Sequence, residues 1–91
     1  MKYDLELSRS VSTRIAALSF ELVTCISHHL DLLCDDPLAV GRRATLPYLP
    51  VGQVYEFWCE DGDGTSVFVA VFFHFKPGEQ VLRVHAITSR S

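Results

Sequence analysis

With 91 residues the chain has room for one domain and one core, since a domain of this size buries only roughly 60–65% of the surface its unfolded chain exposes. A content of 48% hydrophobic and 21% charged residues excludes a disordered or low-complexity polymer. A net charge of −3 and a pI near 5.7 exclude a surface that is basic throughout, so any phosphate-binding role falls to a local patch.

At the start of the chain Tyr3, Leu5 and Leu7 alternate with Lys2, Asp4, Glu6 and Ser8, the period of a strand with one wet face. From about Ser12 to Cys34 the apolar residues Ile15, Leu18, Leu22, Cys25, Ile26, Leu30 and Leu33 recur three and four apart, which predicts one long amphipathic helix or two helices joined by a tight kink. Asp35-Asp36-Pro37 ends it, because proline pushes the residue before it out of the helical region. Two acids at a helix C-terminus oppose the macrodipole, which suggests a contact with Arg42 or Arg43. The Pro-rich stretch that follows, to Gly52, reads as a loop of roughly fifteen residues, a length often associated with function.

Three strands are predicted next, about Gln53 to Glu60, Ser66 to Phe75 and Gln80 to Thr88, joined by the turn-rich EDGDGT and KPGE. The expected class is α+β in a single domain, 1–91: an N-terminal strand, then a long helix or helical hairpin packed on one face of an antiparallel sheet completed by three C-terminal strands.

The stretch VFVAVFFHF, Val67 to Phe75, is apolar on both sides of its strand. If Pro77-Gly78 turns the last hairpin, Phe73 lies opposite Leu82 and Val71 opposite Val84. One face then carries Val67, Val69, Val71, Phe73 and Phe75 with Leu82, Val84 and Ala86, the helix-covered core. The other carries Phe68, Ala70, Phe72 and His74 with Val81, Arg83, His85 and Ile87. If Gly64 takes the left-handed position of a three-residue loop, Val54, Glu56 and Trp58 join this second face, and Tyr55, Phe57 and Cys59 join the core; a two-residue loop reverses that.

The opening MKYDLELSRS has no apolar leader core, and the longest apolar run, Val67 to Phe73, is far too short for a membrane span, so a cytoplasmic protein with no membrane association is expected. Cys25, Cys34 and Cys59 cannot all pair. Cys25 and Cys34 sit nine apart, about 900° around a helix and so on opposite sides, and there is no CxxC; three buried, reduced thiols are expected. Cys25 with His28 and His29 offers metal-ligand spacing without a third ligand, and DGDG at 61–64 lacks the later acids of a calcium loop, so no metal and no cofactor are expected. P-loop, dinucleotide and nucleophile-elbow patterns are absent.

The second sheet face holds the remaining candidates. Arg83 and His85 form a catalytic pair in outline, with Arg42, Arg43, His74 and Arg90 as RNA-contacting residues. Arginine grips phosphate bidentately, and histidine exchanges a proton near neutral pH, the chemistry of cleavage at a 2′-hydroxyl. Phe68, Phe72 and Trp58 need a cover and are the partner-binding candidates.

The element order, together with Asp36-Pro37-Leu38 and Gly41 at the helix exit, Gly52-Gln53-Val54-Tyr55 entering the next strand and Val84-His85-Ala86-Ile87 in the last, resembles the RelE/ParE superfamily of bacterial toxins across nearly the whole chain. The resemblance implies a helical hairpin on one sheet face and an open face that meets messenger RNA at the ribosome, with a partner antitoxin wrapping the protein. It places Arg83 where members often carry a basic catalytic or RNA-binding group, with His85 next along that face. The chain departs from the family at Glu56, where many members have arginine, in its closing ITSRS, which lacks the aromatic often found there, and in its acidic charge. The alternative reading is a non-enzymatic α+β interaction module, a homodimer or one half of a hetero-complex; a cystatin-like sheet around one helix shares the element order without a local motif.

Overall fold

The computed structural model describes residues 2–37, 42–46, 49–75 and 78–90; for 42–46 and 49–52 it describes the backbone. Strand β1 (Asp4–Leu7) leads into helix α1 (Arg9–Ala16) and helix α2 (Phe20–Asp35), followed by strands β2 (Arg42–Leu46), β3 (Leu49–Glu60), β4 (Ser66–Phe75) and β5 (Val81–Arg90). The helical segment is two helices, and two serines make the break. Ser8 caps α1 by accepting the Val11 N–H, and Ser19 caps α2 by accepting the Leu22 N–H, each satisfying a donor that a helix start leaves open. Between them, the Ala17 and Leu18 N–H groups donate back to Arg14 and Ile15 and close the first helix. Ser19 also donates to Asp61 Oδ1 at 2.7 Å, tying the helix break to the β3–β4 turn.

The five strands form one sheet in the order β1-β5-β4-β3-β2. Pairing is antiparallel from β2 to β5, whereas β1 runs parallel to β5, with Asp4 beside Val81 and Leu7 beside Val84. The sheet is therefore mixed, because the helical pair carries the chain across one face before it returns. The long loop expected before Gln53 is in part strand: β2 pairs with β3, setting Arg42 beside Val54 and Arg43 beside Gln53. A proline-rich stretch without apolar alternation gave no sign of that edge strand.

The β3–β4 hairpin closes as expected for a three-residue loop. Gly64 takes φ 86°, Gly64 N–H donates to the Asp61 carbonyl, and Glu60 pairs with Ser66. Val54, Glu56 and Trp58 thus oppose Phe72, Ala70 and Phe68 on the second face, while Tyr55, Phe57 and Cys59 lie on the helix side.

The β4–β5 register differs from the expected one by two residues and then by one more. Phe73 pairs with Val84 rather than Leu82, which keeps Leu82 and Val84 on the core face. A bulge between Phe72 and Phe73 then inserts one extra residue on β5, so that Phe72 pairs with Ala86 and Val71 with Ile87. Because side chains alternate with period two, that insertion exchanges the faces beyond it. Ile87 enters the core at 4% exposure, and Ala86 moves to the second face, the reverse of the assignment from sequence.

Both helices cover the same face. Val11, Leu22, Ile26, Leu30 and Leu33 pack on Phe57, Val69, Val71, Phe73, Leu82, Val84 and Ile87 in one cluster. No helix among the described residues is long and apolar enough to cross a membrane.

Candidate functional site

The open sheet face brings most of the predicted site residues together in two groups. At one end, His74 pairs with Arg83 across β4–β5, and the His85 ring lies 6.2 Å from that of His74. Alternation along β5 from core-facing Val84 places His85 here, and the bulge adds Ala86 to the same side. At the other end, Trp58 and Phe68 rings are 5.1 Å apart and tilted, and the Arg90 guanidinium stands 5.9 Å over the Phe68 ring, within cation–π reach. Phe72 lies between the groups. The side chains of Arg42 and Arg43 lie outside the described residues, and with them the suggested contact to Asp35 or Asp36; the Asp35 carboxylate is 3.9 Å from the Lys2 ammonium, which meets Asp31 at 2.9 Å.

Arg83 does not stand alone. Its Nε donates to Glu6 at 3.3 Å and an Nη to Glu79 at 3.2 Å, and these two carboxylates, Glu79 foremost, push its pKa above the ordinary arginine value. A phosphate would have to compete with both acids for the same donors. His85 is held below the ordinary histidine range, chiefly by burial and then by its neighbours His74 and Arg83. Its Nε2 is buried without a hydrogen-bond partner among the described residues. His85, Ala86 and Ile87 line a cleft of about 260 Å³ whose other wall is Ser10, Val11 and Arg14 of α1. The proximity of Arg14 to His85 was not legible in the sequence, because it depends on how α1 crosses the edge of β5.

A second cluster lies on the covered face. Cys25 on α2 is bonded to Cys59 on β3, with Cα atoms 6.0 Å apart, so the expectation of three reduced thiols is corrected. Only Cys34 is a free thiol, and it is buried. The partner of Cys25 lies not on its own helix but on the strand 34 residues on, which packs directly against α2. His29, one turn beyond Cys25, stacks on Phe57 with ring centres 4.0 Å apart, and its Nδ1 shares a 2.7 Å hydrogen bond with the Tyr55 hydroxyl. Burial, and then His28, hold His29 below the usual histidine range, and burial raises the Tyr55 hydroxyl. The third ligand that sequence spacing did not supply beside Cys25 and His29 is Cys59: one donor atom from each of the three lies within 4.8 Å of the others.

Comparison with protein-family profiles, curated proteins and solved structures finds no match to this chain.

Proposed function

We propose that this chain is a toxin-like component of a bacterial toxin–antitoxin module of RelE/ParE type, acting in the cytoplasm on translation through messenger RNA and neutralised by a partner antitoxin. The observation that carries the reading is the division of the sheet: a pair of helices covers one face, while the other is open and sets His74, Arg83, His85 and Arg90 beside Trp58, Phe68 and Phe72. Basic groups serve a phosphate backbone, and the adjoining aromatics serve stacked bases or the apolar side of an antitoxin. Induction of the chain in a bacterial host is expected to arrest growth and amino-acid incorporation, with Arg83→Ala relieving both. Unchanged growth and translation on full induction would sink the reading.

A second reading has its own support. Glu6 and Glu79 already occupy the Arg83 guanidinium, an arrangement suited to a non-enzymatic interaction module that meets a partner or a second copy of itself through the aromatic patch. Under this reading Phe72→Asp abolishes association, measured as mass by light scattering, and leaves the circular dichroism of the monomer unchanged; Arg83→Ala then has no effect on association.

A further inference from the structure

Cys25, His29 and Cys59 come from two elements whose packing is fixed by the core, and their donor atoms converge within 4.8 Å. Zinc and related soft divalent ions take thiolate sulfur at about 2.3 Å and imidazole nitrogen at about 2.0–2.1 Å in a tetrahedron, which sets donors roughly 3.5–3.8 Å apart. Two of these donors, the sulfurs, are bonded to each other in the oxidised chain; once that bond is opened, side-chain rotation between Cα atoms 6.0 Å apart lets them separate to ligand spacing beside His29. Cys25 and His29 are one helical turn apart and project from one face of α2, the i, i+4 arrangement that lets a helix present two ligands, and Cys59 faces them from β3. The Tyr55 hydroxyl hydrogen-bonded to the His29 ring is the kind of outer contact that orients a ligating imidazole.

We propose that these three residues form a Zn²⁺ site in the reduced protein, and that the Cys25–Cys59 disulfide and the metal are alternative clasps between α2 and β3. Two electrons and two protons from a thiol reductant, which itself becomes a disulfide, open the Cys25–Cys59 bond to two thiols. Zn²⁺ then binds both as thiolates, releasing their two protons, and takes one ring nitrogen of His29 and a water as third and fourth ligands. In a reducing compartment, where disulfides are rare, the metal keeps the helix fastened to the strand. The inference does not depend on the toxin reading, since it concerns the opposite face of the sheet.

The test uses the whole chain carrying Cys34→Ala, reduced under anaerobic conditions and titrated with Co²⁺ as a spectroscopic stand-in for Zn²⁺. One equivalent per chain is expected, with thiolate charge-transfer absorption and the visible bands of a tetrahedral ion, both bleached by Zn²⁺; the oxidised chain shows neither. His29→Phe keeps a ring stacked on Phe57 and both thiols, and is expected to weaken binding by about a hundredfold or more, because losing even an outer partner of a metal ligand costs about 10–100-fold. Reduced protein that is folded by circular dichroism and takes up no Co²⁺ overturns the proposal. So does uptake that is unchanged in His29→Phe, or that survives in Cys59→Ser.

Discussion

Along β4, Val69, Val71 and Phe73 have no exposed surface, while their neighbours Phe68 and Phe72 are half-buried and Trp58 beside them is 63% exposed. The residue types on the two faces are much the same. Helices α1 and α2 lie above the first set, whereas on the second face Val54 and Ala70 are buried as well, at 3% and 6%, and large exposed apolar surface is found at Trp58. On the covered side an apolar residue contributes to folding, by burial and by close packing. At Trp58 on the other side the same chemistry is stored at the surface, where a second molecule gains from it.

Substitutions sharpen that contrast, and the largest effect is expected in the core. Phe73→Ala should cost about 3–5 kcal/mol in urea or thermal unfolding, the usual result of removing a fully buried phenyl ring. A loss under 1 kcal/mol would mean that the covered face is not the one that holds the fold together.

Next in size is the clasp between helix and sheet. Reducing Cys25–Cys59 in the presence of a chelator frees a loop of 34 residues and is expected to lower stability by roughly 3–4 kcal/mol in the chain-entropy account. The check is the urea midpoint with and without reductant.

Trp58→Ala, on the open face, is expected to change monomer stability by no more than about 0.5 kcal/mol, as for other exposed positions, while weakening partner association. A loss comparable to that of Phe73→Ala would erase the distinction between the faces.

The smallest effect is a pH dependence. The folded state holds the His85 pKa below its ordinary value near 6.5, so the unfolded chain binds the proton more readily. Stability associated with this group is complete above pH 6.5 and declines as pH falls from there toward the folded pKa. His85→Gln should flatten that part of the stability-against-pH curve; an unchanged slope would show that His85 does not contribute to it.

Local signals carried most of the architecture. Alternation at Tyr3–Leu7 marked β1, three-and-four spacing marked the helices, and Gly64 marked the loop that sorts Trp58 from Phe57. Features that depend on distant partners were not legible. The β5 bulge follows from how β5 must fit β4, and it alone decides that Ile87 is core and Ala86 is not. The Arg83 carboxylates illustrate the same limit, since Glu6 reaches it only through the parallel pairing of β1 with β5. Cys59 met Cys25 for the same reason: a strand crosses beneath a helix at a point that spacing along the chain does not encode.

The pairing of β1 with β5 also imposes an order of events during synthesis. Glu6 and Arg83 are 77 residues apart, so at ribosomal rates of about 5–20 residues per second the first strand waits roughly 4–15 s for its neighbour to be made. Until then Val11, Leu22, Ile26 and Leu33 have the strands before β5 but lack Leu82, Val84 and Ile87 to pack on, and the nascent helices keep apolar surface that a chaperone can meet. Strand β5 is thus among the elements that complete the structure, and a ribosome stalled before Val81 would hold a chain unable to close its sheet.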